Sequence, residues 1–218
     1  MIVAVHAGKG GVGASTVAYN LGGALDAVVV DADLGMADLP IGRGPDLHDV
    51  LAGRATPVEA VREGGPVALL PCGRTLAGAR AADGRRLPDA LGAVAREYGR
   101  VVVDCPAGLA ADAGLSLVAA DAAVLVTTPE TVALVDAVRS RALARELEAG
   151  LAAAALNRTG PGAPVERVQR LLGAPVVAVP ECPAVGRTFA TGRPAAERDA
   201  RAGRAFGTLA EEVRAAVG

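Results

Sequence analysis

Apolar residues fall along this chain in two alternating textures. Short unbroken runs, most of them rich in valine, occupy positions 2–6, 27–30, 67–70, 101–104, 123–127, 151–156 and 176–179. A strand with one wet face alternates polar and apolar residues, whereas a run that is apolar throughout reads as a strand covered on both faces. Between these runs lie longer segments with helical periodicity, at 14–25, 88–98, 131–148, 164–171 and 195–217. Strand–helix–strand repetition at this spacing implies parallel pairing through right-handed crossovers. The expected fold class is therefore α/β: a doubly wound, mostly parallel sheet flanked by helices. No Pro/Gly/Ser-rich linker is long enough to divide it, so residues 1–218 read as one domain. The least regular stretch, 72–86, carries Gly73, Gly78 and Gly84 and reads as a mobile surface loop.

Composition narrows the function classes. Alanine (49), valine (29) and leucine (23) supply nearly all the apolar surface, with no tryptophan, so the core is built from small and branched side chains. A net charge of −2 provides no global field for nucleic acid or anionic lipid. Cys72, Cys105 and Cys182 are far apart and show no metal-ligand spacing, which argues against a disulfide scaffold or a zinc site. No uncharged apolar run is long enough to span a bilayer, and the first residues enter a strand pattern without a basic leader. A cytoplasmic protein is expected. Of 22 basic residues only one is lysine, Lys9, and its position matters below.

The first strand runs straight into Gly8-Lys9-Gly10-Gly11-Val12-Gly13-Ala14-Ser15-Thr16, and a helix follows. Glycines let the backbone turn tightly and aim successive N–H groups inward, and the helix N-terminus adds its positive dipole end. Such a nest suits a di- or triphosphate, with the Ser15 hydroxyl placed for Mg²⁺ and Thr16 for the α-phosphate. The alternative is a glycine-rich turn with no ligand.

Residues 8–16 resemble the deviant Walker A motif of the MinD/ParA ATPases, KGGxGK[ST]. The likeness continues along the chain. VVVDADLGMADL at 28–39 resembles the family's second strand and switch I, VVVDCPAG at 101–108 its switch II, and VLVTTPE at 124–130 the joint that follows. Leu156-Asn157-Arg158 and Val179-Pro180-Glu181 fall where family members hold the adenine. The resemblance implies ATP/ADP and Mg²⁺ as cofactors, and a homodimer in the ATP state in which Lys9 reaches the partner's phosphates. It implies that Asp33 positions the attacking water and helps order Mg²⁺, and that Asp31 and Asp104 hold the ion, partly through water. Asn157, Arg158 and Pro180 would receive the base. Capping of helices or loops is the plainer reading of these strand-end aspartates.

The chain departs from the motif at Ala14, where the family has its second lysine. That lysine bridges the β- and γ-phosphates, so its loss implies slow or absent hydrolysis with binding less affected. Arg158 and Arg43 are the arginines considered as compensation. The same replacement resembles the TadZ/CpaE branch, so a catalytically inactive nucleotide-binding scaffold is the first alternative to an ATP-dependent positioning switch. A metabolic P-loop ligase or kinase is the second, and Ala14 argues against it.

Other residues are given structural roles. His6 reads as a satisfied, partly buried strand-end residue, His48 as solvated in a polar turn, and Cys105 as a buried thiol rather than a redox switch. The last helix shows a narrow apolar stripe of Phe206, Leu209, Val213 and Val217, followed by acidic residues rather than a basic face. Packing on its own sheet is expected, with peripheral attachment at a membrane or pole the disfavoured option. Arg193, Arg198, Arg201 and Arg204 give weak support for DNA binding. A protein partner or cargo is implied but not identified.

Overall fold

The computed structural model describes residues 1–35, 39, 43–108 and 111–218, with the backbone alone at 111 and 112. Residues 36–38 of the switch I stretch therefore lie outside the described residues. Seven strands form one parallel sheet: β1 (Ile2–His6), β2 (Val28–Asp31), β3 (Leu69–Leu70), β4 (Val101–Asp104), β5 (Ala122–Thr127), β6 (Gly150–Thr159) and β7 (Val176–Pro180). Their order is β3-β2-β4-β1-β5-β6-β7, and every strand pair is parallel.

Side chains of the apolar runs alternate between two covered faces, as the sequence pattern requires. Val3, Val5, Val29, Val102 and Val124 face α1 (Ala14–Leu25) and the C-terminal helix. Ala4, Val28, Val30, Val101 and Val103 face the other way, toward two helices between β2 and β4: α2 (Leu47–Leu51) and, after α3 (Leu76–Ala81), α4 (Leu87–Tyr98). Following α5 (Ala111–Val118), α6 (Thr131–Glu146) and α7 (Val165–Leu172) bury Leu134, Ala137, Val168 and Leu172 against Leu125 and Leu156. Two single-turn helices, α8 (Pro183–Gly186) and α9 (Thr188–Thr191), lead through a 3₁₀ turn to α10 (Ala200–Val217). Asp199 starts α10, its carboxylate accepting from the amides of Arg201 and Ala202.

Strand order reverses at β1, which lies between β4 and β5. In an open parallel sheet, the crevice beyond the strand C-termini at such a reversal is where ligands bind. The registers Val5↔Asp104 and Asp31↔Asp104 bring the ends of β1, β2 and β4 to one level beside that crevice.

Three expectations need correction. The 72–86 stretch is not a surface loop: Thr75 caps α3 by accepting from the Gly78 amide, a 3₁₀ turn covers Gly84–Arg86, and Cys72 is fully buried. The last helix starts at Ala200, because Pro194 and the 3₁₀ turn Ala195–Glu197 precede it. The third strand shrinks to Leu69–Leu70. The apolar stripe of α10 does pack on the sheet: Phe206, Leu209 and Val213 are fully buried. No helix among the described residues is long and apolar enough to cross a membrane.

Phe206 is the largest side chain of that seam, and its removal leaves a cavity that the surrounding valines and alanines are too short to fill. Phe206→Ala should lower unfolding free energy in urea by about 3–5 kcal/mol. A loss under about 1 kcal/mol would show that α10 is not anchored on the sheet by this residue.

Candidate functional site

Beyond β1 the chain turns sharply into α1, and three glycines of the turn, Gly8, Gly11 and Gly13, each answer a backbone or packing constraint. Gly11 and Gly13 adopt left-handed backbone, with φ of 83° and 92°. A Cβ at Gly8 would run into the backbone of Asp136 on α6, and one at Gly13 would collide with the Asn157 amide. Gly10 and Gly11 meet nothing within 4 Å on their open side. The loop is thus wedged between α6 and the end of β6, with its middle left uncovered.

A cleft of about 640 Å³ opens over this loop. Its floor runs from Lys9 to Thr16, and its walls are Asp33, Asp104, Cys105, Pro106, Ala107, Arg158 and Phe189. A side recess of about 190 Å³ shares Gly13, Thr16 and Arg158 with the cleft and adds Asn157, Pro180, Glu181, Cys182, Val185 and Gly186. The structure therefore brings together every residue singled out from the sequence for nucleotide and metal except Asp31, with Gly8 below the loop. Arg43 is exposed and does not line the cleft.

The three aspartates separate by role. Asp31 is fully buried, and its carboxylate accepts from the Asp33 amide (3.2 Å) and the Leu39 amide (3.2 Å). It holds the backbone after β2 in place and does not line the cleft. Asp33 and Asp104 do line it. Asp33 also accepts from the Gly35 amide at 3.2 Å, and Asp104 is almost wholly buried at the end of β4. Lys9 Nζ lies 3.8 Å from Glu130 Oε2, in a half-exposed pair that bridges the loop to the start of α6. Such a pair holds little energy and breaks readily.

The end of β6 supplies the other wall. Asn157 Nδ2 donates to the Val12 carbonyl at 2.8 Å, and its buried Oδ1 has no hydrogen-bond partner. Arg158 donates to the Gly11 carbonyl at 2.7 Å. On the opposite side, the Gly108 amide donates to the Ala7 carbonyl and the Cys105 amide to Val5, so the loop after β4 is tied to the strand that carries the turn.

Two histidines correct the sequence reading. His48 is buried rather than solvated: its Nε2 lies 3.0 Å from the Leu34 carbonyl and 3.4 Å from Cys72 Sγ. It braces the backbone beside Asp33 from α2, a helix closed by an Asp46–Asp49 capping box. His6 is fully buried with both ring nitrogens lacking a good partner, so it is not satisfied as expected. Burial lowers its pKa from 6.5 to about 4, with the Pro106 carbonyl offsetting part of the effect. Burial likewise pushes the Cys105 thiol well above its ordinary range, which keeps it unreactive. Phe189 was not foreseen from the sequence; it stands edge-on to Tyr19 at 5.8 Å and closes one side of the cleft. The arginine group near α10 is weakened as a basic patch, because Arg193 pairs with Glu197 at 3.3 Å.

No family model matches the chain. Individual proteins do. An uncharacterized ATP-binding protein of Methanocaldococcus jannaschii is 32% identical over 207 residues, which take in 88% of this chain and 78% of that one. The cell division ATPase MinD of Pyrococcus furiosus superposes with a TM-score of 0.91 at 31% identity, over 98% of each chain. The septum site-determining protein MinD of Pyrococcus horikoshii, solved with Mg-ADP, gives 0.89 at 32% identity over 97% of this chain and 95% of that one.

His6 generates a pH prediction. Between pH 6.5 and about 4 the unfolded chain takes up a proton that the native protein refuses, so native stability falls as pH falls through that window. Going from pH 7 to pH 5 should cost wild type about 2 kcal/mol more than a His6→Leu variant, measured by urea unfolding. Equal losses in the two proteins would mean that His6 accepts a proton in place.

Proposed function

The chain belongs to the MinD/ParA family of P-loop ATPases, and from that membership we propose that it is an ATP-dependent dimerisation switch serving spatial positioning in the cell, with slow ATP hydrolysis. The observation that carries this reading is the cleft itself. A left-handed glycine turn at the sheet's reversal point forms, with Ser15, the floor of one cavity whose walls carry Asp33 and Asp104.

The residues fit Mg·ATP or Mg·ADP. Backbone N–H groups from Gly10 to Thr16 and the start of α1 suit the phosphates. In the side recess the Asn157 donor is already engaged with Val12, and its Oδ1 is a buried acceptor without a partner in the wall against which a base would lie. Adenine offers an amino donor to such a group, whereas guanine places a carbonyl at the same ring position, so the recess favours adenine. Among the described residues no three His, Cys, Asp or Glu side chains converge on a metal position. A hard divalent ion here would draw on Ser15, with Asp104 and Asp33 acting largely through water. Mg²⁺, when bound, supplies partial neutralisation of the phosphate charge. Asp33 is positioned for the attacking water, its own backbone held by Asp31 below and by His48 through Leu34. Ala14 brings no charge to the loop, which is why turnover is assigned as slow.

Dimerisation rests on Lys9. Its pair with Glu130 is weak, and the neighbouring α6 residues Val132 and Val135 are 64% and 49% exposed. A cation on a rim of exposed valines suits a second copy docking over the cleft with two-fold symmetry. The scaffold reading, nucleotide binding without turnover, remains the first alternative and is favoured by Ala14 alone. Cytoplasmic placement and any membrane or polar attachment belong to the same proposal, as does an unidentified protein partner or cargo.

Light scattering with ATP, with ADP and without nucleotide tests it. ATP should double the mass of wild type, and Lys9→Ala should stay monomeric while still binding nucleotide, its dimer weakened at least about tenfold. Wild type that stays monomeric with ATP, or Lys9→Ala that dimerises equally well, contradicts the switch.

A further inference from the structure

A loop without its second lysine leaves the phosphates short of charge in their own subunit. Among the described residues lining the cleft, the cations are Lys9 and Arg158, set against Asp33 and Asp104. Lys9 is drawn to Glu130, and in the proposed dimer it serves the opposite subunit. A nucleoside triphosphate is a polyanion that Mg²⁺ neutralises only in part, so two carboxylates nearby make a cation in the same chain a physical need.

The end of β6 is distorted in a way that delivers one. Its pairing with β7 runs regularly through Ala154↔Val176, Ala155↔Val177 and Leu156↔Ala178, then slips and resumes at Thr159↔Pro180. Residues 157 and 158 thus face a single residue of β7, which is a bulge. Arg158 takes left-handed backbone there, φ 55°, a conformation costly for a side-chain-bearing residue. The result is that two consecutive residues, which in a regular strand point to opposite faces, both turn toward the loop. Asn157 meets Val12 and Arg158 meets Gly11, each at the carbonyl. The Gly11 bond uses one of five guanidinium donors and parks the head group at the junction of cleft and recess.

We propose that Arg158 is the phosphate-binding cation of this chain, gripping the polyphosphate from the rim of the loop in place of a lysine at position 14. This rests on the nucleotide reading above and departs from a base-contacting role for Arg158. The planar fork suits two phosphate oxygens at once, and the carbonyl of Gly11 holds it ready. From the rim it strengthens binding of the polyphosphate without entering the loop, which fits the proposed retention of binding with slow turnover.

Calorimetric titration of the full chain with Mg·ATP, Mg·ADP and AMP tests this, with thermal melts to verify folding. Arg158→Gln should weaken Mg·ATP and Mg·ADP about tenfold or more and leave AMP within about twofold. In an Ala14→Lys background the same Arg158→Gln change should cost less than about threefold, because the loop then carries its own cation. Equal loss for AMP assigns Arg158 to the base or ribose and overturns the proposal. So does binding by Arg158→Gln that matches wild type, or a loss that Ala14→Lys does not relieve. Absence of nucleotide binding by wild type overturns the nucleotide reading itself, and this proposal with it.

Discussion

Where β1 becomes α1, the backbone must reverse direction within a few residues while two other elements press against it. Gly8 abuts the backbone of α6, Gly13 abuts Asn157 at the end of β6, and Gly11 and Gly13 take φ values that side chains disfavour. This contact fixes more than the turn. It sets how close α6 and β6 approach the centre of the sheet, and so determines the width of the cleft and the position of its side recess. The parallel sheet makes the arrangement unavoidable: with all seven strands pointing one way, their C-terminal loops gather at one edge, and the reversal at β1 opens a gap among them.

Charge around that gap is distributed sparingly. Asp31, fully buried, is occupied with backbone amides and keeps Asp33 where it is. His48 and Cys72 brace the same backbone from beneath through the Leu34 carbonyl. Among the described residues, Asp33 and Asp104 are the acids that reach the cleft, opposite Lys9 and Arg158. Preorganisation of this kind matters because a phosphate site works through groups already aimed at the ligand before it arrives. The turn needs glycines and not a lysine to form, so an uncharged Ala14 leaves its backbone intact.

Much of this was legible in the sequence. Unbroken apolar runs marked all seven strands, and the glycine turn marked the site, because burial on both faces and left-handed backbone each leave a direct trace in residue choice. Boundaries moved by a few residues where tertiary contacts decide them, as at β6, which extends to Thr159. The 72–86 segment was misread because glycines at 73, 78 and 84 mask the capped helix between them. An Asp46–Asp49 capping box was present as a signal for α2, and with it the burial of His48 was within reach. The bulge that turns Arg158 toward the loop had no such trace, since bulges arise from how two strands settle against one another. Phe189 was hidden for a similar reason, its place in the cleft depending on how α9 packs against Tyr19.

The central claim is that the amides of the glycine turn and the first turn of α1 hold a polyphosphate. Hydrogen–deuterium exchange measures those amides directly. Adding Mg·ADP should slow exchange in peptides covering residues 8–17, with further protection at 104–108 and 157–158, and leave the far edge of the sheet unchanged. Exchange in residues 8–17 that is the same with and without saturating Mg·ADP, or protection that appears only elsewhere, would contradict the account.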